Sequence, residues 1–488
     1  MKTNSEFFDN SKVPLILLVI FSFVIRYVGA DDYSLWFDEA LNFRIASQPW
    51  GILWLTNFDP TPPLYYSMLK LFLSYESSEA LIRLPSIICG SLTVLVFYKI
   101  CRTEFSQSIS LFTSLLFSLS CHQLEYSQEA RAYAMQLFFG LSAFYFAYVS
   151  VINKYENNSI AIALYGLFAT LSLYTHNIAV FYILGINLFV FYTCIANREF
   201  KKLKVWVICN ALVFCIWLPW PLVTVFSGEE NSFQWLKHVS PLQFLISTIK
   251  SIKLSPDPRN LSIIDGLFVL SVLTGALFAF KKRNKLLLVS IILLALSSVF
   301  LVWVTGYFQP IFMARTILVS SVIAYLLLPY FLERLSKYAK YGALLVLISC
   351  HLYYYVNYTQ NRYSEDEQWS QAIDYLQSEN FEKILICSTS PSWAISYYLD
   401  TNSVSAYVVN SNIDGVVKVD TNLKNKIKAV EAGMDGNSEI LPLNTIDNAI
   451  FIDSHCTSSK KALLSEVIGL QALKTNEFKK IDLYRIVF

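Results

Sequence analysis

Long apolar runs recur along the first three quarters of the chain, each closed by a short polar or aromatic connection. A helix crossing a hydrocarbon core needs roughly 20 mostly apolar residues. About eleven runs approach that length, at residues 13–30, 81–100, 106–122, 132–152, 159–175, 178–196, 205–226, 262–280, 285–305, 315–332 and 340–357. After Tyr358 the pattern changes. A stretch of helical period surrounds Trp369–Leu376, followed by short β-rich runs at Lys383–Cys387, Ser403–Val409, Ala449–Asp453 and Ile481–Phe488. The expected architecture is a polytopic α-helical membrane domain over residues 1–357, with a long first loop at about 31–80, and a small α/β domain over 358–488.

Charge sets the expected orientation, because short cytoplasmic loops carry the excess of lysine and arginine. With the N-terminus inside, the inner connections hold sixteen such residues and the outer ones seven. An odd number of spans then places the C-terminal domain outside the cytoplasm, and a bacterial inner membrane or a plasma membrane is the expected location. The first run ends in Val28-Gly29-Ala30, like a cleavable signal peptide. Arg26 and Tyr27 suit the interfacial end of a helix better than a signal core, so an uncleaved span is expected.

Composition removes other classes. Hydrophobic residues make up 55% of the chain and charged residues 15%, against about 25% charged in ordinary soluble domains. A formal net charge of +2 offers no cationic excess for phosphate backbones, so a nucleic-acid partner is not expected. Nine cysteines fall singly with no CxxC, which excludes zinc-finger and disulfide-scaffold readings. Only Cys387 and Cys456 stand in polar sequence.

The outer connections collect chemistry. The first loop holds Asp38-Glu39 beside Trp36 and Phe37, and further on Asp59 and the run Pro62-Pro63-Leu64-Tyr65-Tyr66. Consecutive side chains on a helix project about 100° apart, so the two carboxylates face different surroundings; a solvated acidic pair is the plainer reading. The second outer loop contains Glu125, Gln128, Glu129, Arg131 and Tyr133. Glu125 and Glu129 share a face if the segment is helical, and ordinary capping also accounts for a Glu/Arg turn. His176 closes the fifth run, and Arg315 opens the tenth as a snorkelling anchor or a phosphate partner. The charge-derived topology brings Asp38, Glu39, Asp59, Glu125, Glu129, Arg131, His176 and Arg315 to one side of the membrane. Carboxylates, guanidinium groups and an imidazole at a lipid boundary suit a charged lipid headgroup.

The acidic pair, the Pro-Pro-Leu-Tyr-Tyr run, Arg83-Leu84-Pro85-Ser86, Gln128-Glu129-Ala130-Arg131-Ala132-Tyr133 and Leu173-Tyr174-Thr175-His176 together resemble the protein O-mannosyltransferase and aminoarabinose-transferase group of GT-C glycosyltransferases. The resemblance covers about residues 13–200 and is architectural beyond. It implies a GT-C-like fold and sugar transfer from a polyprenyl-phosphate-linked donor to a hydroxyl of a glycolipid, polysaccharide or protein at the outer face. On that reading Asp38 is the general base and Glu39 its catalytic neighbour. Arg131 and Arg315 hold the donor phosphate, with Glu129, Tyr133 and Asp59 in support. Asp38, Glu129 and His176 could hold a divalent metal, magnesium or manganese before zinc, since Thr61 replaces the histidine that such proteins often carry before Pro-Pro. The main rival is a transporter or flippase of lipid-linked saccharide. Mid-span charge, which transporters use, is nearly absent. A polysaccharide polymerase is nearer in chemistry but does not require the acidic pair.

Overall fold

The computed structural model describes residues 13–55, 61–73, 78–152, 159–226, 238–255, 261–283, 285–308, 311–365 and 367–379, and beyond these 383–386, 390–399, 405–409, 415–419, 440–442, 449–454, 473–478 and 480–486. Asp59, Cys387 and Cys456 lie outside the described residues. The chain forms two compact units. One comprises Met1–Val28, Trp54–Phe72 and Ala80–Thr359; the other comprises Gly29–Leu53, Leu73–Glu79 and Gln360–Phe488.

The first unit is helical. All eleven expected runs fall on helix. Among the described residues, seven helices are long and apolar enough to cross a membrane: Glu79–Arg102, Tyr133–Ile152, Ala179–Ala196, Phe200–Phe226, Ile263–Lys281, Leu286–Thr305 and Ala314–Arg334. Val13–Tyr27 and Ser159–Thr175 are apolar but shorter. Gln107–Ser118 has 12 residues, and Lys337–Glu365 runs for 29 residues into a polar end.

Several polar side chains inside these helices find partners within the protein, as a hydrocarbon surround favours. Ser91, Thr93, Thr113 and Ser114 donate to carbonyls four residues back at 2.7–2.8 Å. The Tyr165 hydroxyl donates to Asn210 Oδ1 at 2.7 Å, Trp206 Nε1 to Asn187 Oδ1 at 2.7 Å, and Asn187 Nδ2 to Asn210 Oδ1 at 3.1 Å. That network joins Ser159–Thr175, Ala179–Ala196 and Phe200–Trp217.

Arg26 departs from expectation. It is 1% exposed, and neutral oxygens surround its guanidinium. Nη1 donates to the carbonyl and hydroxyl of Ser22 at 3.1 and 2.6 Å, and Nε donates to Ser127 Oγ at 3.2 Å. Tyr27, by contrast, is half-exposed.

The second unit contains a seven-stranded sheet ordered β4-β3-β2-β1-β5-β7-β6. Its strands are β1 (Lys383–Ile386), β2 (Ser405–Val409), β3 (Gly415–Val419), β4 (Ile440–Pro442), β5 (Ala449–Asp453), β6 (Leu473–Phe478) and β7 (Ile481–Ile486). β1 pairs in parallel with β2 and β5, and the outer pairs are antiparallel. The apolar run of β1 is buried at Ile384, Leu385 and Ile386, as expected of a central parallel strand. Helices Trp369–Ser378 and Ser390–Tyr398 accompany the sheet.

Two stretches of the first loop pack in this unit. Tyr398 joins them: its hydroxyl accepts from Leu35 N at 2.7 Å and donates to Glu79 Oε1 at 2.9 Å. Phe43 meets Tyr397 edge-on at 5.0 Å, and Ser34 Oγ accepts from Ser370 N at 3.0 Å. By packing, then, residues 29–53 and 73–79 belong with the C-terminal residues.

Candidate active site

In the membrane unit, the helix Cys121–Ser127 carries Glu125 but stops at the C-cap Gln128. Glu129 and Arg131 therefore sit in a turn before the helix Tyr133–Ile152, and the expected shared helical face of Glu125 and Glu129 does not form. The Arg131 amide donates to Glu129 O at 2.8 Å. The Arg131 carbonyl accepts from Ser86 Oγ at 3.0 Å, and Ser86 Oγ also meets the Tyr65 hydroxyl at 3.1 Å. Three of the motifs that are far apart in sequence thus meet through one serine.

The turn delivers Arg131 to Tyr133. Its guanidinium lies 5.7 Å from the centre of that ring, and Nη2 reaches the Tyr133 hydroxyl at 3.4 Å. Arg315, carried on the single 3-10 turn Ala314–Ile317, places its guanidinium 5.7 Å from the same ring. Two cations 184 positions apart in sequence share one aromatic quadrupole, each within the range of a cation–π contact. Tyr126 meets Tyr133 edge-on at 5.7 Å, and His176 meets it at 5.3 Å. Burial, reinforced by Glu125 and Glu129, raises the Tyr126 hydroxyl well above its usual pKa, with Arg315 opposing. That phenol stays protonated at neutral pH. The arrangement gathers two guanidinium groups on one ring, with Glu129 near enough to influence the neighbouring Tyr126 phenol.

The His176 ring restricts metal chemistry. Its Nδ1 accepts from the Ile178 amide at 3.1 Å, so in the neutral ring the proton resides on Nε2. Ligating a cation through Nε2 would move the proton to Nδ1, against the Ile178 N–H. His176 fits a hydrogen-bond donor, not a metal ligand. Among the described residues, no three His, Cys, Asp or Glu side chains group to hold a metal ion.

In the second unit, Asp38 and Glu39 occupy the first turn of the helix Phe37–Ala46. Glu39 is fully buried, and its Oε2 accepts from Trp36 N at 3.4 Å, which makes it a helix-capping carboxylate. Asp38 is only partly buried. The two carboxylates do face different surroundings.

Sequence reasoning passed over Ser86, Gln128 and Tyr65 as site residues, although each lies in a quoted motif; their roles run through hydrogen bonds that spacing does not display.

Comparisons with known proteins place these features in context. Residues 60–222 match the family described as dolichyl-phosphate-mannose-protein mannosyltransferase. No curated protein matches the chain. The apo structure of ArnT from Cupriavidus metallidurans is similar, with a TM-score of 0.68 at 12% identity over 98% of this chain and 99% of that one. The same protein bound to undecaprenyl phosphate gives 0.65 at 13% identity over 98% of each chain. AglB from Archaeoglobus fulgidus, in complex with an inhibitory peptide and a dolichol-phosphate, gives 0.50 at 10% identity over 78% of this chain and 63% of that one. The likeness shows that the chain shares the fold of these proteins.

The His176 assignment has a direct test. In the nitrogen-15 spectrum of labelled imidazoles, assigned against a His176→Gln variant, Nδ1 is expected unprotonated and Nε2 protonated at neutral pH. Added magnesium or zinc should leave both signals in place. A metal-dependent shift of the His176 signals would overturn the donor assignment.

Proposed function

We propose that the protein is an integral-membrane glycosyltransferase that moves a sugar from a polyprenyl-phosphate-linked donor to an acceptor hydroxyl. The observation that carries this reading is the meeting of Arg131 and Arg315 on Tyr133, within a fold shared with proteins solved on undecaprenyl phosphate and dolichol-phosphate. The match of residues 60–222 to a mannosyltransferase family supports the same chemistry. A transporter of lipid-linked saccharide is not favoured by these likenesses.

The reaction follows from the charges. An acceptor oxygen attacks the anomeric carbon as the bond from that carbon to the phosphate oxygen breaks. The bonding pair leaves with the lipid phosphate, whose growing charge the two guanidinium groups stabilise. The acceptor's proton passes to a carboxylate, and Asp38 is the proposed base, since Glu39 is occupied at its helix end. Tyr133 keeps the arginines apart and aligned, and His176 Nε2–H offers a further donor. Two guanidinium groups supply the charge assigned in the sequence reading to magnesium or manganese. Glu129, in the same turn as Arg131, orients the cationic pair.

Asp38→Asn keeps the side-chain shape but cannot take the proton. Its turnover in a purified, donor-supplied assay is expected to fall by about 10²–10⁴, with folding and insertion unchanged. Turnover near that of the unsubstituted protein would remove Asp38 from the reaction.

The orientation proposed from charge puts the N-terminus and the loops around Lys201 and Lys282 in the cytoplasm and the C-terminus outside, with transfer at the outer face. Reporter fusions after residues 202, 283 and 488 are expected to read inside, inside and outside. A cytoplasmic signal from the last fusion would contradict it.

A further inference from the structure

A fully buried arginine with no acidic partner is an expensive feature, and Arg26 is one. Among the described residues its hydrogen bonds all run to neutral oxygens: the carbonyl and hydroxyl of Ser22, Ser118 Oγ at 3.5 Å and Ser127 Oγ at 3.2 Å. The site has been shaped around it. A Cβ on Gly90 would collide with Ser127 Oγ and stand 3.2 Å from Arg26 Nε, so only glycine lets the helix Glu79–Arg102 pass this point.

The neighbouring residue completes a lock. Gln128 Nε2 donates to the Arg26 carbonyl at 2.9 Å and the Val28 carbonyl at 3.3 Å, two acceptors that a helix end leaves without intrahelical partners. Gln128 Oε1 accepts from the Tyr358 hydroxyl at 3.1 Å. Only five residues, Gln128–Ala132, separate the helix ending at Ser127 from the one starting at Tyr133. That turn is fixed at its first residue by Arg26, Gln128 and Tyr358 and at Arg131 by Ser86.

We infer that Arg26 and Gln128 are positioning residues for donor binding, acting through the turn that presents Arg131; this rests on the reading of Arg131 as a donor-phosphate partner. They touch no substrate. Their work is to hold the backbone of residues 127–131 so that the Arg131 guanidinium stays beside Tyr133, where a displacement of about 1 Å costs up to about a hundredfold. Stability alone does not account for Arg26, because a well-packed apolar side chain of similar length is neutral or stabilising in place of a buried charge.

The test is a double-mutant cycle with undecaprenyl phosphate as the probe, its affinity measured on the full-length protein in nanodiscs. Arg26→Met and Gln128→Leu are each expected to weaken binding by about ten- to a hundredfold. Added to Arg131→Ala, neither should weaken it further. Additive losses would show that these residues act independently of Arg131 and would overturn the inference, as would unchanged binding in the single variants. If Arg26→Met does not fold, Ser127→Ala removes one bond of the same lock and enters the same cycle with the same criteria. A full-affinity Arg131→Ala protein would instead sink the donor-site reading itself, a failure distinct from that of the positioning role.

Discussion

Two like charges held beside one another repel, and at a membrane boundary water screens them poorly. Arg131 and Arg315 come together because the ring of Tyr133 lies within 5.7 Å of both and its quadrupole attracts each of them. That bracket organises its surroundings. It needs the helix Tyr133–Ile152 to begin where it does, a turn that brings Arg131 back to the first residue of that helix, and the 3-10 turn that delivers Arg315.

Rigidity is the second requirement. Electrostatic stabilisation of a leaving group works when the donors are in place before charge develops. Here the turn bearing Arg131 has no regular structure of its own, and it borrows order from three helices through the bonds of Gln128 to Arg26 and Tyr358 and of Arg131 to Ser86. These contacts are short-range and polar, in a region whose neighbours are apolar, so each is worth more than it would be in water.

Much of this was legible in the sequence. Apolar runs marked the long helices of the first unit, because a hydrocarbon surround admits little else, but not the shorter Leu64–Phe72 and Pro241–Ile252. The edges of the sheet were not legible. β6 (Leu473–Phe478) is largely polar and β4 (Ile440–Pro442) is three residues ending in proline, and edge strands commonly look like that, whereas the buried β1 and β5 stood out. Arg131, Arg315 and Tyr133 could be suspected from motif and charge, but their convergence on one ring depends on packing across 184 positions. Glu39 looked equivalent to Asp38, and only its turn back to Trp36 N separates them. Arg26 was assigned to the interface by the ordinary preference of arginine; the serines that bury it come from three helices and form no local pattern.

The central claim is that Tyr133 holds two arginines for a lipid phosphate. The most direct measurement is the affinity of undecaprenyl phosphate for Tyr133→Phe and Tyr133→Leu in nanodiscs. Phenylalanine keeps the aromatic face, and binding should stay within about twofold of that of the unsubstituted protein. Leucine fills the space without a quadrupole, and the loss of two cation–π contacts predicts about a tenfold weakening. Equal affinity in the leucine variant would contradict the account.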